Sequence, residues 1–166
     1  MKKILKFTAL SAVLLVLAGL MTSCNEQKEI RRGEGFCKQF TLIGQGILSG
    51  SVQQQQNVVI RTQGEWERFK TVIELQNLNA HETEIDFGKH MIIAVIDEER
   101  RTGGWDIAIT SITEYPNGII VDVVVTGPGY ECPVPQMHTQ PYHIVKTDRS
   151  GKRIEFEHVM QHRAPC

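Results

Sequence analysis

Residues 105–125 constrain the fold more than any other part of the sequence. Eleven of these 21 residues are isoleucine, valine or threonine, and β-branched side chains disfavour a helix of that length. The dipeptide Asn117-Gly118 divides the segment, and this pair is a strong signal for a tight hairpin because both residues tolerate a positive φ. The sequence therefore predicts two long paired strands, at about 105–115 and 119–126.

Other segments predict strands before and after this hairpin. An unbroken apolar run at residues 91–96 is typical of a central strand that is buried on both faces. Shorter strands are predicted at 40–48, where Gly44 and Gly46 indicate a bulge or a close approach, at 58–60, and as a final pair at 142–147 and 153–159.

One helix is predicted between the early strands. Thr62 and Glu65 have the spacing of a capping box, and Trp66 and Phe69 follow at helical spacing, so that the helix runs to about Leu78 with its aromatic side chains on a sheet. The element order predicts an α+β fold, mainly antiparallel β, as a curled sheet or a small sandwich or barrel with one packed helix near residues 63–78.

The first 24 residues have the pattern of an export signal. Lys2, Lys3 and Lys6 precede an apolar run that is too short for an ordinary membrane span and that ends just before Cys24. This resembles the lipobox of bacterial lipoproteins, in which the chain is cut before the cysteine and the cysteine carries lipid. We expect a signal peptide at 1–23, a flexible tether at 24–35 and one β-rich domain at 36–166, with a plain secretory signal as the alternative.

Charge limits the classes of partner. Cleavage before Cys24 leaves 15 basic and 19 acidic residues, so the mature chain offers no general electrostatic attraction for nucleic acid. Membrane contact is then expected through the N-terminal lipid, in the bacterial cell envelope, with the outer membrane or cell surface as the expected location.

The remaining cysteines are expected in an oxidising compartment. With Cys24 lipidated, three cysteines remain, enough for one disulfide. A bridge between Cys37 and Cys166 would join the two ends of the domain, and a bridge that uses Cys132 is the alternative.

Residues that could perform catalysis are few, and no cofactor is expected. Cys132 with His138 or His143 is the one arrangement that could act as a cysteine hydrolase. His158, His162 and Cys166 are spaced four residues apart and would share one face of a helix, which suits zinc. The alternating pattern at residues 154–158 argues for a strand there instead. The sequence therefore favours a protein that is not an enzyme and has no metal site.

Two segments are candidates for partner binding. The first, Arg101-Thr102-Gly103-Gly104-Trp105, places an aromatic residue beside a flexible turn, and the second contains Pro141 and Tyr142. The alternative interpretation of the first segment is a simple tight turn with Trp105 packed in the core. Aromatic residues and arginine contribute strongly to protein interfaces.

Four segments together resemble the C-terminal domain family of PrcB, a lipoprotein subunit of a surface protease complex. They are Ile85-Asp86-Phe87, the strand at 91–95, the segment 101–107 and Gln136-Met137-His138-Thr139-Gln140-Pro141-Tyr142-His143-Ile144-Val145. The similarity covers roughly residues 58–156. It implies an accessory protein that supports a protease partner and is not itself a peptidase, and it supplies no catalytic residue.

Three functions remain open from the sequence. The first is a lipid-anchored accessory or binding protein that stabilises or modulates a protein partner, a protease being one candidate. The second is a direct protease inhibitor that presents the Gly103-Gly104 turn. The third is a zinc-binding protein.

Overall fold

The computed structural model describes residues 34–48, 54–72 and 85–166. The expected signal peptide and the tether up to residue 33 lie outside these ranges, as do residues 73–78 of the predicted helix. The described elements follow in the order β1 (Phe36–Cys37), β2 (Phe40–Leu48), β3 (Gln56–Ile60), α1 (Gln63–Val72), β4 (His90–Ile96), β5 (Asp106–Tyr115), β6 (Gly118–Gly127), β7 (Gln140–Asp148) and β8 (Ile154–His162).

The strands form two four-stranded sheets that do not close into a barrel. One sheet has the order β1-β5-β6-β8 and the other the order β2-β7-β4-β3. Helix α1 packs on the outer face of the second sheet, where Trp66 and Phe69 join its core cluster. The fold is therefore a small α+β sandwich of mainly antiparallel strands, and the predicted fold class is confirmed.

The position of strand β4 explains why its sequence is apolar from Met91 to Ile96. Met91, Ile93 and Val95 face the other sheet, whereas Ile92, Ala94 and Ile96 face the helix. Because β4 lies between β7 and β3 with a layer on each side, alternate residues fill two separate cores. The prediction of a central strand buried on both faces is confirmed.

Helix α1 begins with the capping box that the sequence predicts. The Glu65 amide donates to Thr62 Oγ1 at 3.3 Å, and the Glu65 carboxylate accepts from the amides of Thr62 at 3.1 Å and Arg61 at 2.8 Å. These bonds hold the pKa of Glu65 below its usual value, with the Arg61 amide as the largest cause. The first turn is thus fixed locally, and Trp66 is placed directly over the sheet.

The predicted pairing of the last two strands is wrong. Strands β7 and β8 lie in different sheets, and β8 runs parallel to β6, with Ile154 opposite Ile119 and His162 opposite Gly127. Both edges of β7 are already occupied by β2 and β4, so the chain after Asp148 has to cross to the other sheet. The central hairpin is confirmed, although its two-residue turn is Pro116-Asn117, and Gly118 pairs with Tyr115.

Within the described ranges, none of the helical structure has both the length and the apolarity needed to cross a membrane.

Candidate binding surface

Three segments meet at one end of the sandwich, which we call the loop end. They are the β4–β5 connection at 97–105, the β6–β7 connection at 128–139 and the C-terminal residues 163–166. The Gly103 amide donates to the Pro135 carbonyl at 2.9 Å, and the Arg163 amide donates to the Gly127 carbonyl at 3.1 Å. Segments that are distant in sequence therefore form one continuous surface.

A disulfide between Cys132 and Cys166 closes the loop end. The predicted Cys37–Cys166 pairing is wrong, and the alternative that uses Cys132 is the one found. The reason is topological: strand β8 runs parallel to β6, so it delivers the C-terminus to the end of the sandwich where the β6–β7 connection begins. Cys37 lies on β1 opposite Thr113, near the other end of β5.

Four side chains form a row across the loop end, which we call the aromatic row: Arg100, Trp105, His162 and Tyr130. The Arg100 guanidinium carbon lies 4.1 Å from the Trp105 ring centroid. The Trp105 and His162 rings meet edge to face at 5.8 Å between centroids, and Tyr130 stacks on His162 at 5.2 Å. Tyr130 is 67% exposed, so the row ends in solvent.

Arg100 is held in place by a buried carboxylate. Its Nε and Nη2 donate to the two carboxylate oxygens of Asp97 at 2.8 and 3.0 Å, and Nη1 pairs with Glu98 at 2.7 Å. Asp97 is 1% exposed, and such a two-pronged contact orients the guanidinium as well as binding it. Arg100 can therefore present one face of its guanidinium to Trp105 at a low cost in side-chain entropy.

The two motifs that carried the sequence resemblance contact each other. Thr139, which is buried, donates its hydroxyl to the Thr102 carbonyl at 2.8 Å, and its backbone pairs in both directions with Arg100. Trp105 Nε1 donates to Thr102 Oγ1 at 3.3 Å. The conformation of the 101–105 segment thus depends on the start of β7.

The structure separates the candidate residues into exposed and buried groups. Arg101 and Gly104 are exposed, and Thr102 and Trp105 are half-buried. Pro141 and Tyr142 are buried, and Tyr142, 2% exposed, belongs to the core beneath the helix. The prediction that these two residues bind a partner is therefore corrected. They lie on β7, a strand with neighbours on both sides and a layer on each face, and they support the fold.

The Gly103-Gly104 turn is bound into the fold. Gly103 is buried against the Pro135 ring, and the Gly104 carbonyl accepts a hydrogen bond from the Arg163 guanidinium. Gly104 has a φ of 84°, in the region that favours glycine. Because its backbone groups are engaged, the turn is a poor wedge for the cleft of a protease, and the geometry does not favour the inhibitor hypothesis.

The residues of the zinc and hydrolase hypotheses are not brought together. His158 and His162 lie on strand β8, where four residues span roughly 13 Å, and Cys132 and Cys166 are joined to each other. His158 instead contacts Asn57 at 3.1 Å and Gln55 at 3.2 Å. Among the residues that the structure describes, no group of three or more histidine, cysteine or acidic side chains is arranged to hold a metal ion.

Sequence reasoning missed three members of the aromatic row: Arg100, Tyr130 and His162. Tyr130 stands two residues before Cys132, and His162 stands four before Cys166. The disulfide therefore brings the two rings together. The Cys132–Cys166 pairing, taken together with the ring-bearing residue near each cysteine, was the signal that could have found Tyr130 and His162.

Comparison with known proteins identifies one family. Residues 91–148 match the family model described as PrcB C-terminal, which confirms the resemblance found in the sequence over this segment. The segment runs from β4 to β7 and contains Arg100, Trp105 and Tyr130, whereas His162 and Cys166 lie beyond it. No curated protein and no solved structure matches the chain.

Proposed function

We propose, from the match of residues 91–148 to the PrcB C-terminal family model, that this chain is a non-enzymatic accessory protein that stabilises or modulates a protein partner. A protease is the first candidate for the partner, because the family takes its name from a subunit of a protease complex. The proposal includes removal of residues 1–23, lipid on Cys24 and a tether that holds the domain in the bacterial cell envelope.

The aromatic row is the observation that supports a binding role. Arginine, tyrosine and tryptophan are the residue types that most often dominate the energy of a protein interface. Trp105 packs against the core on one side, and at the other end of the row the exposed Tyr130 ring stacks on His162. A partner that covers this end would bury aromatic surface that now faces water.

The loop end is also preorganised for binding. The Cys132–Cys166 bond fixes the C-terminal residues, and Asp97 fixes Arg100. Rigid surfaces lose little conformational entropy when a partner binds, so more of the contact energy appears as affinity. This rigidity favours a stable complex in which the domain supports the partner.

The direction of strand β5 separates the loop end from Gly35. Trp105 precedes β5 and Tyr115 ends it, so the two residues are separated by roughly 30 Å. Gly35, the last residue of the proposed tether, lies against the Tyr115 ring. A lipid on Cys24 would therefore hold the opposite end of the domain nearest to the membrane.

Site-specific photocrosslinking in intact cells tests the partner surface. A photoreactive phenylalanine at Tyr130 is expected to give a crosslink to one envelope protein, with a protease as the first candidate. The same group at Asn117, exposed in the β5–β6 turn at the other end of the sandwich, is the matched control. Equal crosslinking at both positions, or none at Tyr130, would contradict a partner surface at the loop end.

Metabolic labelling with a fatty acid tests the anchor. The wild-type chain is expected to take up label and to fractionate with membranes, and Cys24→Ser is expected to lose the label. An unlabelled wild-type chain would show that residues 1–23 act as a plain secretory signal.

A further inference from the structure

We propose that the end of the domain opposite the loop end binds phosphate groups of anionic phospholipids and so holds the domain upright on the membrane. This inference rests on the lipid anchor of the proposed function, because the anchor places this end at the bilayer. It assigns a ligand to a cleft that has no part in the partner surface.

The cleft lies between the end of β3 and the start of β8. It is a shallow depression that is open to solvent, with a volume of about 550 Å³, so a phosphate group could reach its basic side chains from outside. Three of its six lining residues are cationic and none is acidic. The lining residues are Val59, Arg61, Gly151, Lys152, Arg153 and Ile154.

Arg61 is held in position by backbone groups, and among the described residues its guanidinium forms no salt bridge with a carboxylate. Its Nε donates to the Ser150 carbonyl at 3.0 Å, and its Nη2 donates to the Lys152 carbonyl at 3.2 Å. The carbonyl of Arg61 in turn accepts a hydrogen bond from Arg149 at 2.9 Å, which brings a second guanidinium next to the cleft. Carbonyl oxygens orient a guanidinium but leave its charge unneutralised, so the positive charge at Arg61 remains available to an anion.

The carboxylates near the cleft are those of Glu65, Glu114 and Glu155, and Glu65 accepts the backbone amides of Arg61 and Thr62. Glu114 accepts Lys152 at 2.8 Å and Lys38 at 2.9 Å, and these two ammonium groups, Lys152 first, hold its pKa below the usual value. Glu155 lies 3.5 Å from Arg153, whose side chain is 81% exposed. The basic side chains around the cleft outnumber these carboxylates, so the net charge there is positive, although the mature chain as a whole carries more acidic than basic residues. The basic residues are Lys38, Arg61, Arg149, Lys152 and Arg153.

The path of the chain brings this cleft close to Gly35, the last residue of the proposed tether. Lys152 Nζ donates to the Tyr115 carbonyl at 2.8 Å, and Gly35 lies against the ring of the same tyrosine. The cleft is thus adjacent to the point where the proposed tether enters the domain. Phe36, 59% exposed, is the next residue, and an exposed aromatic ring beside basic side chains suits the headgroup region of a membrane.

Vesicle co-sedimentation tests the proposal with the complete mature chain carrying Cys24→Ser, so that no lipid anchor contributes. The chain is expected to bind vesicles of phosphatidylcholine with phosphatidylglycerol at least fivefold more tightly than vesicles of phosphatidylcholine alone. This preference is expected to shrink as salt rises from about 50 to 300 mM. The absence of a preference for phosphatidylglycerol would overturn the proposal.

Two substitutions locate the binding site. Arg153→Gln, in an exposed side chain, is expected to weaken binding about fivefold with an unchanged thermal melt. Arg101→Gln removes an exposed charge at the loop end, the opposite end of the domain, and is expected to leave vesicle binding unchanged. An equal loss in both variants would indicate a general charge effect and would overturn the assignment to the cleft.

Inorganic phosphate distinguishes a membrane site from a site for a free ligand. Saturable, Arg153-dependent binding of phosphate without vesicle binding would overturn the membrane proposal in favour of a soluble phosphate ligand. Failure of this proposal can be distinguished from failure of the proposed function, because the assay contains neither the lipid anchor nor a protein partner. If fatty-acid labelling fails while vesicle binding persists, the anchor is wrong and the phosphate-binding cleft stands.

Discussion

Arg100 and Trp105 form a stacked pair at the loop end, with 4.1 Å between the guanidinium carbon and the ring centroid. Asp97, buried at the end of β4, holds the arginine, and the inter-sheet core packs against the tryptophan. The pair therefore connects the buried parts of both sheets to the surface proposed for a partner.

Replacement of Trp105 is expected to weaken partner binding without unfolding the domain. Trp105→Ala removes the centre of the aromatic row and is expected to lower affinity about tenfold or more, as is usual for a central aromatic residue of an interface. The free energy of unfolding should fall by only about 1–3 kcal/mol, because the ring is half-buried. Crosslink yield from Tyr130 and thermal melting measure the two effects. Trp105→Phe is the matched control, and collapse of the fold in Trp105→Ala would show that this residue serves the core alone.

Asp97→Asn tests how the row is positioned. The substitution removes a buried charge that binds Arg100 at two oxygens, and we expect a loss of about 2–4 kcal/mol in the free energy of unfolding. A double-mutant cycle with Arg100→Gln should give a coupling energy well above that of an exposed ion pair. Lys89→Gln, which removes an exposed partner of Asp86, is the control and should change the free energy of unfolding little. Independent, additive losses at 97 and 100 would contradict the positioning role.

Removal of the Cys132–Cys166 bond is expected to lower the free energy of unfolding by up to about 4 kcal/mol. The bond closes a separation of 34 residues, and the loss of loop entropy in the unfolded chain gives an effect of that size. Cys132→Ser and Cys166→Ser should show equal losses, and the double variant should lose no more than either alone. Urea unfolding measures the loss. Peptide mapping under non-reducing conditions checks the pairing directly, and a peptide linking Cys37 to Cys166 would contradict it.

His143 is expected to make stability fall in mild acid. It lies between the sheets, where its Nδ1 accepts the Ile109 amide at 3.4 Å. Burial lowers its pKa below the usual 6.5, against a smaller opposing effect of Asp106. The unfolded chain therefore takes up the proton first, so this contribution to stability is complete above pH 6.5 and is lost as pH falls from there toward the folded pKa.

Urea unfolding between pH 8 and 5 measures this effect. One histidine can change the free energy of unfolding by at most about 1.4 kcal/mol per pH unit. His143→Gln should flatten the acid side of the profile. His158, whose pKa is also lowered by burial, should contribute a further loss of stability in acid. A His143→Gln profile identical to that of the wild type would contradict the assignment to His143.

Local patterns predicted most of the elements and the pairing of the central hairpin, but not the pairing of the last strand. The alternation in β5 and β6, the continuous apolar run of β4 and the capping box of α1 each depend on neighbours within a few residues of the chain. The pairing of β8 with β6 depends instead on which sheet edges are free once β7 lies between β2 and β4. The candidate site shows the same division: Trp105 was recognisable as an aromatic residue beside a turn, whereas Tyr142 looked similar and proved to be core.

The sequence by itself determined a mainly antiparallel α+β domain, because side-chain periodicity states which face of each element avoids water. Only the tertiary structure decided that Cys166 meets Cys132, that His162 and Tyr130 extend the row begun by Arg100 and Trp105, and that Arg61 and Arg153 share a cleft near Gly35. These contacts join residues far apart in the chain. They follow from the crossing of β8 to the other sheet, which no local pattern encodes.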